Sequence, residues 1–539
     1  MPGLVAIFAP RHWALLVSLC GLVWASFLAL HAGGVWLLLV AFFGFFSALG
    51  VYDLVQTRHA VLRNYPILAH LRFLLEEMRP EIRQYFFESE TDGAPFSRDR
   101  RALVYQRAKM QLDKRPFGTH LATYSDGYEW LLHSFAPRPL ADPDFRIKIG
   151  RPECSKPYSA SVFNISAMSF GALSANAIRA LNGGAKAGGF AHDTGEGSLS
   201  PYHEEQGGDI IWEIGSGYFG CRTLEGAFSE EKFAETAQKP QIKMIEIKLS
   251  QGAKPGHGGV LPAAKVTPEI ARIRGVPFGK DCVSPAAHSA FKTPLELIAF
   301  LARLRQLSGG KPVGIKFCLG QPGEFLALVK AMLELGTAPD FLVVDGKEGG
   351  TGAAPEEFMD HLGTPLREGL SFVHNALVGA GLRENIRIGC SGKITTAFDI
   401  ARAMALGADW CNSARGFMFA VGCIQSLSCH TDTCPTGVAT QDPLRGRALV
   451  VPDKIARVAN YHRATLHCLA ELVAAAGLDH PGAFTLDQFR RRVSETRVAS
   501  FADLYPALAP GEFLRGARDA DLRALWERAT PNTFSASRV

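Results

Sequence analysis

Two uncharged apolar runs open the chain, and the pattern then changes to short alternating blocks. Residues 13–30 (WALLVSLCGLVWASFLAL) and 35–51 (VWLLLVAFFGFFSALGV) contain no charged side chain. Each comes close to the roughly 20 residues that cross a bilayer as a helix. The break between them ends in Gly33 and Gly34 and fits a tight helical hairpin. Arg11 precedes the first run, Arg58 and Arg63 follow the second, and the connection has no Lys or Arg. The positive-inside bias then puts a transmembrane hairpin in the inner (cytoplasmic) membrane, with everything after residue 52 in the cytoplasm. A cleaved signal peptide and a buried hairpin of a soluble domain are the competing readings. Further on, Leu68, Leu71, Leu74 and Leu75 recur at helical spacing between Arg63, Arg72 and Arg79. This predicts a helix that lies along a membrane surface or packs on the main domain.

From about residue 160, apolar β-rich runs alternate with helical ones. The runs predict strands at 162–167, 190–193, 210–214, 242–248, 313–318, 341–345, 386–390 and 409–413. Helices are expected near 174–188, 294–307, 323–335, 366–380 and 395–406. In the last, Ala397, Ile400, Ala401 and Met404 follow i, i+3, i+4, i+7, and Gly407 stands where a helix stops. Alternation of this kind implies a parallel sheet. Eight strands favour an α/β fold of the (β/α)8 TIM-barrel type over an open sheet. The expected organisation is a hairpin (1–52), a helical linker (53–150), the barrel (151–475) and a helical C-terminal extension (476–539).

Bulk composition narrows the function little. The 539 residues are 47% hydrophobic and 20% charged, with a net charge of +5. That balance, without a basic block interleaved with aromatics, argues against nucleic acid as a partner. Eleven cysteines without a regular framework read as reduced thiols of an intracellular protein.

Chemistry gathers at the expected C-terminal ends of the strands. AMSFGALS, LSQGAKPGHGG, GKEGGTGAAP, SGKITT and ARG each follow a strand. Glycines there let a backbone approach a ligand closely. Barrels commonly hold a phosphate after the last two strands, so Ser391, Gly392, Lys393, Ser413 and Arg415 are candidates. Lys316 is a charged residue between the apolar Ile315 and Phe317. GSGYFG at 215–220 matches a dinucleotide fingerprint, but Cys221–Gly226 separate it from the next helix, so it reads as a barrel loop. Cys423, Cys429 and Cys434 are spaced C-x5-C-x4-C and end in Cys-Pro. Three thiols in so short a run suit an iron–sulfur cluster, and the spacing lacks the paired knuckles of zinc sites. The alternative is three ordinary reduced thiols.

In order along residues 150–475, AMSFGALS, TGEG, EIKLSQGAKPG, EGGTGAAP and GCIQSLSCHTDTCPTGVATQDP resemble the FMN-binding synthase domain of the glutamate synthases. With the hairpin, the chain looks like that family's short bacterial branch. The resemblance implies a barrel that binds FMN and a 3Fe–4S cluster held by Cys423, Cys429 and Cys434. Ala167, Met168 and Ser169 would lie along the flavin, with Lys248 and Lys316 facing it. Asp345, Gly349, Gly350, Thr351, Gly392, Lys393 and Arg415 would complete the ribityl and phosphate cradle. Glu196, Lys254 and Arg274 would be catalytic, the two cations suiting the carboxylates of 2-oxoglutarate.

The implied activity is glutamate biosynthesis by reductive amination of 2-oxoglutarate. Ammonia would come from solution or a separate subunit, since no glutaminase segment is recognisable. Electrons would come from a ferredoxin-like carrier or a reductase subunit. His257 and Val260 stand where the family has an acid and a glutamine, and PAAHSA keeps only His288. These departures leave two alternatives open. One is an FMN oxidoreductase for another amino or oxo acid; the other is a membrane-bound electron-transfer module without amination.

Overall fold

The computed structural model describes residues 10–535, divided into two compact units, Met1–Ala94 and Pro95–Val539. In the first unit, helices Trp13–Ala32 and Leu37–Val55 form the hairpin, turning at Gly33 with φ +97°. Both are long and apolar enough to cross a membrane, and little of either is buried. At the hairpin's end the buried Asp53 carboxylate accepts the Ile67 N–H at 2.9 Å and meets His70 Nε2 at 3.0 Å. That contact fixes the start of helix Leu68–Ile82. The expected leucine stripe is there, but Leu68, Leu71, Leu74 and Leu75 are all exposed.

The second unit is a closed eight-stranded barrel. Its strands, numbered in chain order, are β1 (Phe163–Ile165), β2 (His192–Asp193), β3 (Ile210–Ile214), β4 (Ile242–Lys248), β5 (Val313–Phe317), β6 (Phe341–Asp345), β7 (Arg387–Ser391) and β8 (Trp410–Ser413). All eight pairings are parallel, including the β8–β1 closure that joins Asn412 to Asn164. Every strand overlaps its expected span. Thr293 and Thr396 cap the helices Pro294–Leu307 and Ala397–Ala405, each in a capping box.

Two apolar clusters hold the barrel. The larger one lies between the strands and the surrounding helices. The smaller one is inside the barrel, where Ile211, Met244, Phe341, Val343 and Trp410 meet Ile149, Tyr158 and Ala160. Those last three belong to an antiparallel pair, Arg146–Ile149 with Tyr158–Ser161, which plugs the end where the strands begin. Gly314 and Gly389 make room for this floor. A β-carbon on Gly314 would collide with the Phe341 carbonyl and ring, and one on Gly389 would collide with the Trp410 ring.

Two expectations are corrected. Past residue 476 the chain is not mainly helical: Phe489–Ser494 and Arg497–Ser500 form a hairpin that pairs with Glu129–Leu131. Its buried anchors are Phe489 and Ala499, which would lie on different faces of a helix. In the hairpin Ala499 pairs with Arg491, two residues from Phe489, so both anchors point to the same side. The linker is helical only in parts, at Ala60–Asn64, at Leu68–Ile82 with the π-helical turn Arg83–Phe87 that continues it, and at Arg98–Ala108. A long helix, Val451–Ala475, has no counterpart among the expected ones, although Val458, Tyr461, Thr465, Leu469 and Val473 share one buried face.

Gly314→Ala should destabilise the barrel by about 1–3 kcal/mol, because its methyl meets backbone that cannot swing away. Chemical denaturation of the detergent-solubilised protein checks this, and an unchanged midpoint would contradict the tight floor.

Candidate active site

Above the apolar floor the barrel interior becomes charged. Asp193 ends β2, Glu213 lies on β3, Glu246 on β4 and Lys316 on β5, all buried. Lys316 Nζ donates to Glu213 Oε2 at 2.6 Å and stands 3.9 Å from Glu246 Oε1. Lys248, in register with Lys316, lies 2.9 Å from Glu196 and 3.5 Å from Glu213. A continuous line of alternating charge therefore runs from Lys316 through Glu213 and Lys248 to Glu196 at the mouth. Burial opposes the Lys316 ammonium, but Glu213, Asp193 and Glu246 outweigh it and hold it well above the usual lysine range. Lys248 is raised against the same burial by Glu196 and Glu213.

Glu196 gathers three of the expected site residues. Burial would raise its pKa, but Lys248, Arg274 and Lys254 together hold it below the usual carboxylate range. Gly215 and Gly259 crowd it: a β-carbon on Gly215 would stand 2.7 Å from a carboxylate oxygen, and one on Gly259 would collide with the other. This explains GSGYFG, whose first glycine gives Glu196 space while the next helix waits until Glu230. Arg274 Nη2 donates to the Phe170 carbonyl at 3.1 Å and lies 3.4 Å from Ser169 Oγ. It thus pins the turn Ala167–Met168–Ser169 that follows β1. Lys254 Nζ donates to the Ala353 carbonyl at 2.9 Å, and burial lowers its pKa. His288, buried behind Lys248, bonds the Lys248 carbonyl at 2.8 Å.

Across the mouth, Asp345 ends β6. It accepts the Gly252 N–H at 2.7 Å and the Ser391 hydroxyl, tying the β4 and β7 loops together beside Gly349, Gly350 and Thr351. Gly392 and Lys393 follow β7, and Arg415 follows β8. Lys393 takes a left-handed backbone, φ +54°. Both cations lie over Phe96, with Arg415 Cζ 4.7 Å and Lys393 Nζ 6.0 Å from the ring centre. Burial lowers Arg415 to about 10; burial and then the neighbouring Arg415 lower Lys393. Among the described residues neither has a carboxylate at ion-pair distance, and Arg415 donates instead to the Glu348 carbonyl. Two like charges held together this way form a receptor for an anion. The serines expected beside them are committed elsewhere: Ser391 to Asp345, and Ser413 to the Ile394 carbonyl at 2.6 Å.

Helix Arg415–Val421 leads directly into the cysteine loop. Gln425, Leu427 and Asp432 all have left-handed backbones, so the loop is tightly wound. Gln425 fixes it by a reciprocal pair with the Phe96 backbone, at 3.1 and 3.2 Å. Lys265 Nζ donates to the carbonyls of Ala172, Cys429 and Ala439, fastening the loop to the turn after β1. Burial pushes the Cys423 thiol up to about 12 and raises Cys429 as well. Burial opposes the Cys434 thiolate too, yet N–H groups of Ala439, Thr436 and Val438 and the Thr436 hydroxyl bring it below the usual thiol range. The three sulfurs do not converge as for a single ion. Among the described residues, only Asp193, Glu213 and Glu246 bring three ligand atoms within 4.8 Å of one another.

The expected residues thus fall into three groups: Glu196 with Lys248, Lys254 and Arg274; Asp345 with the β6–β8 turns; and the thiols. Sequence reasoning missed Asp193, Glu213, Glu246 and Lys265. The signal for Glu213 and Glu246 is the one that marks Lys316, a charge inside an apolar strand. Lys265 has no such signal.

Residues 142–479 match the conserved region in glutamate synthase. The chain is 38% identical over 499 residues to the glutamate synthase large subunit-like protein YerD of Bacillus subtilis, covering 85% of this chain and 95% of that protein. It is 37% identical over 316 residues to an archaeal glutamate synthase [NADPH] of Methanocaldococcus jannaschii, covering 58% and 59%. The large chain of Bacillus subtilis glutamate synthase [NADPH] aligns at 34% identity over 58% of this chain and 20% of its own length.

Glu213→Gln should cost about 3–5 kcal/mol, since it leaves Lys316 as a buried charge without its close partner. Urea denaturation measures this, and a loss under about 1 kcal/mol would mean that the interior line is not structural.

Proposed function

The chain belongs to the glutamate synthase family, and from that membership we propose an oxidoreductase of the glutamate synthase type that uses FMN and a 3Fe–4S cluster. The reaction would join ammonia and a 2-oxo acid, in the first instance 2-oxoglutarate, and reduce the resulting imine to the amino acid. Two electrons and two protons are consumed, and water leaves. The two apolar helices would anchor the enzyme in the inner membrane with its barrel in the cytoplasm, and a separate ferredoxin-like or reductase donor would supply electrons.

The observation that carries this reading is the cation pair Lys393 and Arg415, with no carboxylate at ion-pair distance among the described residues, at the same mouth as the Glu196 cluster. That corner fits the phosphate of FMN. The backbone of Ala167–Ser169 would lie along the ring, with Lys248 and Lys316 on its far side. Asp345, Gly349, Gly350, Thr351 and Gly392 would border the ribityl chain. FMN, when bound, supplies hydride transfer. Arg274 and Lys254 would hold substrate carboxylates, and Glu196 would manage a proton at the substrate nitrogen. Cys423, Cys429 and Cys434 would hold the cluster; the N–H groups around Cys434 favour the thiolate that iron needs.

A second reading keeps the chemistry and changes the acid. Val260, on a two-residue strand paired with Cys282–Val283, brings no polar atom to the substrate side. His257 is turned to the Gly258 carbonyl and packs on Phe358 at 5.3 Å. Neither residue adds the hydrogen bond that a distal carboxylate would use, which favours a less polar 2-oxo acid.

Purified protein should show a flavin absorption spectrum and release FMN on denaturation. Lys393→Ala should weaken FMN binding by about 10- to 100-fold, the loss of one charged hydrogen bond. Failure to bind FMN on reconstitution would sink the proposal. Reduced enzyme should form glutamate from 2-oxoglutarate and ammonia; turnover with other 2-oxo acids alone would select the second reading. Cys429→Ser should abolish the electron paramagnetic resonance of an oxidised three-iron cluster, and a wild-type protein without iron after anaerobic reconstitution would remove the cluster from the scheme.

A further inference from the structure

Three carboxyl groups share the barrel interior with one close ammonium. Oxygens of Asp193, Glu213 and Glu246 lie within 4.8 Å of one another, and all three residues are buried. Glu213 is satisfied by Lys316 at 2.6 Å and Lys248 at 3.5 Å. Asp193 accepts the Gly195 N–H at 2.9 Å through one oxygen, while its other oxygen has no hydrogen-bond partner among the described residues. Among the described residues neither oxygen of Glu246 has a hydrogen-bond partner, and Lys316 stands 3.9 Å away. The other charges that face this group do not relieve it. Asp345 adds a further negative charge, already bonded to Gly252 and Ser391, and Lys248 is drawn to Glu196. Two carboxylates so poorly partnered in so dry a place cannot both stay ionised.

We propose that Asp193 and Glu246 hold one proton between them, and that this pair resupplies Glu196 through Glu213 and Lys248. Burial and then Glu213 push Asp193 up to about 7, and burial and then Asp193 push Glu246 well above the usual carboxylate range. The two groups titrate as one unit. The groups lie in one line: oxygens of the pair are within 4.8 Å of Glu213, Glu213 is 3.5 Å from Lys248, and Lys248 is 2.9 Å from Glu196. As the substrate nitrogen draws a proton, the Glu196 carboxylate relays it from the Lys248 ammonium. The neutral amine then takes the pair's proton by way of Glu213. One proton leaves the pair, one reaches the substrate, and no electrons move. Delivery rests on the reductive reading above, whereas the shared proton does not. Lys316 already supplies positive charge among the three carboxyls, which favours a proton there over a divalent ion.

Infrared spectroscopy of the full-length protein in deuterated buffer tests the pair directly. A protonated carboxyl band should be present at neutral pH, fade as pH rises, and lose the Glu246 contribution in Glu246→Gln, where Asp193 still faces Glu213. Asp193→Asn is the second variant, and its band should persist to a different pH from that of wild type. Stability should follow the same sign. Because the folded pKa of Asp193 is raised from 3.8 to about 7, stability should fall as pH rises across that interval, and Asp193→Asn should flatten the fall. Absence of a titrating band, a band unchanged in both variants, or a stoichiometric divalent metal whose chelation alters the band would overturn the shared proton. For delivery, Glu246→Gln should lower kcat about tenfold with KM unchanged. An unchanged kcat with the Glu246 contribution lost would overturn delivery alone. A band without reductive turnover on any 2-oxo acid would overturn the functional reading and leave the proton pair standing.

Discussion

The Lys316–Glu213 ion pair, 2.6 Å long and buried inside the barrel, is the constraint on which the rest of the site depends. A charge in that interior is tolerable only beside an opposite one, since desolvation costs several kcal/mol for each ion. Strand register brings the partners together: Lys316 pairs with Lys248 across β5 and β4, and Glu246 with Glu213 across β4 and β3. The cations and acids therefore form two adjoining rows that compensate each other. Below them the aromatic floor of Phe341 and Trp410 closes the barrel. Above them the line of charge leads out through Lys248 and then Glu196.

The mouth is built on the opposite principle. At Lys393 and Arg415 the fold places two cations together with no carboxylate at ion-pair distance among the described residues, so the site favours an anion. At Glu196 it surrounds one carboxylate with three cations. The cysteine loop is held by main-chain contacts instead. Lys265 and Gln425 take up its carbonyls and those around it, while the Gln425 N–H donates to Cys423 Sγ at 3.4 Å and several N–H groups favour the Cys434 thiolate. The loop is thereby fixed to the β1 turn and to Phe96, the same ring that backs the cation pair.

Legibility followed the range of the forces involved. Apolar runs and their glycine punctuation act within about ten residues, and they located all eight strands and the five expected helices, but not the long helix Val451–Ala475. The hairpin Phe489–Ser500 escaped because three consecutive arginines, Arg490 to Arg492, hide its apolar anchors, and its partner Glu129–Leu131 lies far away in the chain. The hydroxyls of Ser391 and Ser413 looked available for a ligand, but their acceptors, Asp345 and Ile394, come from other turns.

By itself, the sequence determined the barrel, the apolar hairpin, the glycine-rich strand ends and the C-x5-C-x4-C run, because spacing and composition are local properties. It also marked Lys316 as a charge between apolar strand residues, and the family resemblance pointed to Lys248 and Glu196. Only the tertiary structure decided that they form one line, with Asp193 and Glu246 left poorly partnered at its inner end. The physical reason is that a buried charge takes its meaning from its neighbours in space, and barrel closure supplies those neighbours from strands far apart in the chain, as between Glu213 and Lys316.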